Sequence, residues 1–356
     1  MNILITGITG FVGSHMADYI LENIPDAKIY AIRRWRSNID NIAHLFNSTE
    51  RVKFIEADLA DRGSLHDCLI TCKPDYVFHF AAQSFPRSSF NTPVYTLTNN
   101  IIGTTNLLEE LRIAKEQLIC DPIIISVSSS EVYGNPLPTE VPITENNQIR
   151  AANPYSISKV GHDLMSQYYN KAYGLKIIVT RMFSHEGARR GRHFALSSFA
   201  YQIVMHEKQT ELFLKKNPEK SVNNGSLKIY VGNLNSIRTY AHISDAVHAY
   251  WLAATKGIIG EVYNIGGNYT CTVGDALENL LSKSTLKRNL FDVIVDPDKI
   301  RPTDITLQIP NCDKFKNDTG WKSIRDLNYI NDDLLQYWRS GNINETYKLL
   351  ILPLYT

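Results

Sequence analysis

No CxxC pair occurs among the five cysteines, Cys68, Cys72, Cys120, Cys271 and Cys312. So scattered and odd a set excludes a disulfide framework or a structural zinc site; a reducing, cytoplasmic setting without bound metal is expected. Cys68 and Cys72 are four apart on an expected helix, where packing on one face accounts for the spacing. Neither charge is in excess: 37 Lys and Arg against 36 Asp and Glu leave +1, which excludes the broad basic face of a nucleic-acid binder. No apolar run reaches membrane-spanning length, and the opening run at 2–6 is too short for a signal peptide. Neither nucleic acid nor membrane is therefore an expected partner. Repeats and low-complexity tracts are lacking as well.

What remains is 356 residues, enough to bury a full core, in which two periodicities alternate. A short apolar run at 2–6 leads through Gly7 to a helical pattern at 10–22 and a second strand at 28–32. Further strand runs at 52–55, 76–80, 123–127 and 175–180, with helical stretches such as 98–114 between them, predict an α/β fold with a doubly wound parallel sheet. Beyond about 184 the alternation loosens, and 215–226 reads as an exposed loop. The run 261–267 reads as one more strand of the sheet, so two interwoven lobes are expected. Residues 1–183, with a returning segment near 232–270, form the dinucleotide lobe, and 184–231 and 271–356 form a smaller substrate lobe.

Gly7, Gly10 and Gly13 form a G-x-x-G-x-x-G between strand and helix. Missing side chains there let backbone amides, with Thr9, Phe11 and Val12 in the same turn, approach a pyrophosphate at a helix N-terminus. About twenty positions on, where an NAD site of the Rossmann type carries an acidic residue, the chain has Arg33 and Arg34. These suit a 2′-phosphate, so NADP is expected over NAD; a solvated basic turn is the alternative. Asp58, followed by Leu59, is placed to accept from an adenine amine. Ala81, Ala82 and Gln83 are small or polar residues where backbone meets cofactor, with Ser84 next toward the substrate.

Tyr155 and Lys159 form a Y-x-x-x-K pair, which at i, i+4 lies on one helix face; the ammonium is expected to lower the phenol pKa and make it a usable base. The strand at 123–127 ends in Ser128-Ser129-Ser130-Glu131, hydroxyls and a carboxylate at the edge where α/β sites lie.

With these landmarks, and Asn100 with Gly103-Thr104, the sequence resembles the extended short-chain dehydrogenase/reductases over nearly its whole length. The resemblance implies that Ser129 binds a sugar hydroxyl, Tyr155 takes its proton, Lys159 also holds the nicotinamide ribose, and the ring is oxidised at C4. Ser-Ser-Ser-Glu131-Val-Tyr-Gly is similar to the S-T-S-E-L-Y-G of GDP-mannose 4,6-dehydratases, where the glutamate removes the C5 proton. Ser184-His185-Glu186-Gly-Ala-Arg189-Arg190-Gly191 and Arg301-Pro-Thr-Asp304 follow that family's order. They imply that Arg190 contacts cofactor across a tetramer interface and that Arg301 and Asp304 hold the diphosphate and ribose of a GDP moiety. Arg238 is expected near the same phosphates, and His185 beside the cofactor as an orienting or packing residue, outside the catalytic set. Ser184 replaces an asparagine of the family, so GDP-mannose is the expected substrate with GDP-heptose and GDP-N-acetylglucosamine as alternatives. A 4-keto-sugar reductase, an epimerase and a dinucleotide-sensing binding protein are competing readings. The resemblance also implies a homodimer or homotetramer.

Overall fold

The computed structural model describes residues 1–48 and 50–341. The chain runs through β1 (Asn2–Thr6), α1 (Phe11–Asn23), β2 (Lys28–Arg33), β3 (Val52–Glu56), α2 (Arg62–Cys72), β4 (Tyr76–His79), α3 (Pro86–Asn91), α4 (Pro93–Leu97), α5 (Gly103–Glu116) and β5 (Ile123–Val127). It continues with α6 (Pro154–Tyr173), β6 (Lys176–Met182), β7 (His185–Glu186), α7 (Ala195–Lys216), β8 (Leu227–Val231), β9 (Ile237–His242) and α8 (Ile243–Lys256). Last come β10 (Val262–Ile265), β11 (Tyr269–Thr272), α9 (Val273–Ser282), β12 (Phe291–Val295), β13 (Leu307–Gln308), α10 (Asp313–Thr319) and α11 (Leu327–Arg339).

Seven strands form one parallel sheet in the order β10-β6-β5-β4-β1-β2-β3. Its strands are apolar runs because both faces are covered. Ile3, Ile5, Ile29, Phe78 and Ile178 pack against α1 and α8 on one side. Leu4, Val77, Ile124 and Ile177 pack against α2, α5 and α6 on the other. Chain order reverses between β1 and β4, so a crevice opens at the carboxyl ends of those strands. The second lobe puts α7, α9 and α11 around the β8–β12 pair, with a core that includes Phe199, Ile203, Ile229, Leu277 and Leu334.

The lobes interweave more finely than the expected boundaries. Within 232–270 only α8 and β10 rejoin the large sheet; β9 belongs to a separate small sheet with β7, β11 and β13. Conversely, within 271–356, Phe315 of α10 and Trp321 return to the core beside α8 and β10, because two large apolar rings find cover there. The loop expected at 215–226 begins only after Lys216, where α7 ends. The helix expected at 98–114 opens with a π turn over Thr98–Ile102 before α5. No described helix is long and apolar enough to cross a membrane.

Candidate active site

The crevice is a cleft of about 810 Å³, and every residue expected at the site lines it. At its base β1 turns sharply through Gly7, whose φ of +72° disfavours any side chain. A Cβ on Gly7 would sit 2.7 Å from the Ala81 nitrogen, and one on Gly13 would sit 2.3 Å from the Gly7 carbonyl oxygen. Gly10 differs: its Cβ would meet only that oxygen, at 3.2 Å. It is the N-cap of α1 with no side-chain capping bond, so the first-turn amides of a 13-residue helix point into the cleft with room for an anion. This cradle, with Arg33 and Arg34 at the end of β2, fits a nicotinamide dinucleotide. The Arg34 guanidinium reaches the Tyr95 hydroxyl at 3.5 Å. An oxygen of the Asp58 carboxylate accepts from the Ala60 amide at 3.0 Å, which fixes its direction beside Leu59.

Ala81-Ala82-Gln83 is clamped from below. The Ala81 amide donates to Thr6 Oγ1 at 3.1 Å. The Asn100 side chain takes the Gln83 amide at 2.7 Å and donates to the Gln83 carbonyl at 2.9 Å and to Ser158 Oγ at 2.8 Å.

The catalytic candidates meet at the start of α6. Asn153 caps that helix through Oδ1, which accepts the Ser156 amide at 2.8 Å. Its Nδ2 donates to Glu131 Oε2 at 3.0 Å. One side chain therefore fixes both the helix bearing Tyr155 and Lys159 and the carboxylate expected to act with them. Ser129 lies beside the Tyr155 phenol, and its hydroxyl accepts the Glu131 amide at 3.2 Å. Sequence reasoning passed over Asn153, although an Asn-Pro pair ahead of a helical pattern is a cap signal.

The expected lowering of the phenol pKa by Lys159 is not what the geometry gives. Burial, and then the Glu131 charge, push the Tyr155 phenol well above its ordinary value; Ser129 and Arg190 oppose them. The Lys159 ammonium instead donates to the Val127 carbonyl at 2.6 Å, and burial brings its own pKa down to about 8.

Arg190 lies inside this chain's own cleft, 3.5 Å over the Phe194 ring and 5.0 Å over Phe11. Its Nε is 3.7 Å from Glu186 Oε2. Glu186, named in the sequence motif without a role, is buried, and desolvation lifts its carboxyl to about 7 against the pull of Arg190. His185 stacks on Phe11 at 5.7 Å and donates from Nδ1 to the Phe183 carbonyl at 2.9 Å; burial and then Arg190 lower it to about 3.

On the far wall Arg301 Nη1 is 3.9 Å from both Glu131 Oε1 and Asp304 Oδ1. Asp304 Oδ2 accepts from Asn233 at 2.8 Å and Ser236 at 3.2 Å. Arg238 is turned by its bonds to the Ile237 and Ile305 carbonyls. Ser84 and Ser184 line the space between these cations and Tyr155. Arg87, Lys299, Tyr240 and Tyr250 line it too; they lie in no local motif, and only the tertiary fold brings them in.

A glycine turn at a sheet switch point, facing a Ser-Tyr-Lys group supplied by the end of β5 and by α6, is the arrangement of the extended short-chain dehydrogenase/reductases. Within that class a family model described as GDP-mannose 4,6 dehydratase matches residues 4–332, and the chain belongs to this family. A dTDP-glucose 4,6-dehydratase of Escherichia coli is 30% identical over 347 residues, covering 90% of this chain and 89% of that one. A dTDP-glucose 4,6-dehydratase of Bacillus anthracis, solved in complex with NAD, superposes with a TM-score of 0.75 at 25% identity over 96% of this chain and 97% of its own. A UDP-glucose 4-epimerase of Thermotoga maritima, solved with UDP-glucose, shares the fold with a TM-score of 0.79 at 24% identity, covering 96% and 99%.

Proposed function

We propose that the protein is a lyase, a nucleotide-sugar 4,6-dehydratase, and that its substrate is a GDP-sugar, GDP-mannose first. The observation that carries the reaction type is Glu131, held by Asn153 beside the Ser129–Tyr155 pair; a reductase would leave that carboxylate without a task. The E. coli and B. anthracis relatives are 4,6-dehydratases by name, which supports the same class. The nucleotide is a finer matter. Those relatives act on dTDP-glucose by name, while the Arg190, Arg301 and Asp304 segments favour GDP.

A nicotinamide dinucleotide, NADP in preference to NAD because of Arg33 and Arg34, supplies the hydride acceptor and donor when bound. The glycine turn, Asp58, Leu59 and Ala81 to Gln83 would hold it, with Lys159, His185 and Arg190 nearer the nicotinamide end. Ser129 orients the sugar 4-hydroxyl and Tyr155 takes its proton. A C4 carbonyl acidifies the C5 hydrogen; Glu131 would remove that proton and hand it to the departing C6 hydroxyl, which leaves as water, and hydride returned to C6 with a proton taken up at C5 would give the 4-keto-6-deoxy sugar. Arg238, Arg301 and Asp304 grip diphosphate and ribose, with planar guanidinium forks suited to phosphate oxygens, while Ser84 and Ser184 face the sugar. A homo-oligomer is part of this reading: Val94, Tyr95 and Ile102 on the α4 side and Ile157, Leu164 and Tyr168 on α6 are exposed, more apolar surface than a lone helix face ordinarily shows to water.

The test is to incubate the protein with GDP-mannose, GDP-heptose, GDP-N-acetylglucosamine, dTDP-glucose and UDP-glucose in parallel and read product masses. Loss of one water from a GDP-sugar is expected. Loss only from dTDP- or UDP-glucose would overturn the nucleotide assignment, and unchanged masses throughout would overturn the dehydratase.

A further inference from the structure

Beneath the catalytic residues lies a chain of buried polar side chains that no step of the proposed reaction uses. Tyr155, Lys159, His162 and Ser166 fall at i, i+4, i+7 and i+11 of α6 and so form one stripe facing the sheet. The upper half of that stripe is the Tyr-Lys pair. The lower half enters a network: Ser126 Oγ meets His162 Nε2 at 2.8 Å and Ser166 Oγ at 2.7 Å. His162 Nδ1 meets Thr104 Oγ1 at 2.8 Å, Thr104 Oγ1 meets His79 Nε2 at 2.9 Å, and His79 Nδ1 meets Thr6 Oγ1 at 2.8 Å. Thr6 then holds the Ala81 amide. Thr104 also faces the Asn100 carbonyl at 2.7 Å, and Asn100 is the clamp on Gln83 and Ser158. The two imidazoles stack at 5.4 Å with 8° between their planes. All of these side chains except those at the loop itself are fully buried.

The π turn makes this possible. A π turn of this kind recurs at functional sites, and here it turns both Asn100 and Thr104 inward, so that one short segment touches the cofactor loop and α6 together.

We propose that His79, Thr104 and His162 are positioning residues, which lock the Tyr155–Lys159 stripe of α6 to the Gly7 turn and the Ala81–Gln83 loop through two neutral imidazoles. The protonation pattern follows from the partners. His79 carries its hydrogen on Nε2, donating to Thr104, and accepts from Thr6 at Nδ1. Thr104 and Ser166 each also face a main-chain carbonyl, of Asn100 at 2.7 Å and of His162 at 2.8 Å, so one of these two hydroxyls turns its hydrogen into the chain, and His162 bridges Thr104 and Ser126 with a single hydrogen on one ring nitrogen. Burial first, and the neighbouring Lys159 charge second, hold both rings uncharged. The remaining charges on this face of α6 are the Asp163 carboxylate and Arg181, which neutralise each other at 2.9 Å. Uncharged rings leave Lys159 the sole cation over the network, and a fixed hydrogen-bond chain keeps a reacting group from drifting, where a displacement of 1 Å costs about a hundredfold in rate.

The kinetic consequence rests on the proposed dehydratase reading; the protonation states do not, and the experiment separates them. Nitrogen-15 NMR of histidine-labelled protein, with His79→Gln and His162→Gln used to assign the two signals, should show two neutral rings, that of His79 as Nε2–H, unchanged across roughly pH 5 to 8 where ordinary histidines titrate. Titration of either ring in that range, or a His79 ring with its hydrogen on Nδ1, would overturn the proposal. Steady-state kinetics on the turned-over nucleotide sugar should show kcat down about tenfold to a hundredfold in His162→Leu with KM within about twofold. His162→Gln, which keeps one donor and one acceptor, should recover most of the loss. If His162→Leu does not fold, Thr104→Val, which cuts the same chain at its hub, takes its place. A folded variant with unchanged kcat would contradict the assignment.

Discussion

Glu131 and Glu186 are two carboxylates in one cleft with opposite surroundings. Glu131 has the Asn153 amide and the Arg301 guanidinium beside it, which fix where its carboxylate points. Glu131→Gln keeps the Asn153 contact and loses the base. Water loss should fall by about a hundredfold or more, and incorporation of solvent deuterium at C5 should fall with it; exchange at the wild-type rate would remove Glu131 from the reaction. Glu186 is lifted to about 7 by burial, so its folded pKa lies above its unfolded one. Its contribution to stability is then present in full below the unfolded value of about 4.3 and is lost as pH rises toward 7 and beyond. Glu186→Gln should match the wild type in thermal denaturation near the bottom of that window and exceed it at pH 8. A constant offset at all pH values would contradict the burial argument.

At the level of elements, α6 does most of the positioning. Its N-cap, Asn153, serves helix and carboxylate at once, and the two duties separate in Asn153→Asp. The aspartate keeps an acceptor for the Ser156 amide, so the melting temperature should change little. It places a second negative group where Glu131 received a donor, so turnover should fall at least tenfold. Equal losses of stability and activity would mean the cap alone matters. These relations explain what was legible in the sequence. Gly7, Gly10 and Gly13, the Tyr155–Lys159 pair and Ser129 with Glu131 are local patterns, readable because a turn or one helix face fixes them. The role of Lys159 toward the phenol was not readable, since spacing gives the shared face but not that the Val127 carbonyl would claim the ammonium. Likewise His79, Thr104 and His162 lie on β4, α5 and α6, and only the packed fold makes them one group.

Over the whole molecule, the parallel sheet and the return of β10 to it followed from strand runs in the sequence, but β9 and α10 changed sides because lobe membership depends on which apolar face is left open. That exchange has a functional result. β9 brings Arg238, and the segment after β12 brings Arg301 and Asp304, over a cleft whose floor belongs to the large sheet. In the proposed reaction phosphate grip and chemistry would thus come from different lobes, and a sugar bridging them would be fixed at both ends. The proposed oligomer uses another face, the exposed apolar residues of α4 and α6. Light scattering should give a mass of at least two chains, with Leu164→Glu shifting it toward one while the cleft residues are untouched; a wild-type monomer would contradict that part.

The central claim is that oxidation, elimination and reduction occur on one sugar without net consumption of reductant. It is tested most directly by supplying the nucleotide sugar with deuterium at C4 and analysing the product by NMR and mass. Internal return predicts a 4-keto-6-deoxy product, lighter by one water, with the C4 deuterium now on C6 and no added reductant required. Deuterium lost from the sugar, or a product that keeps its 6-hydroxyl, would contradict the account.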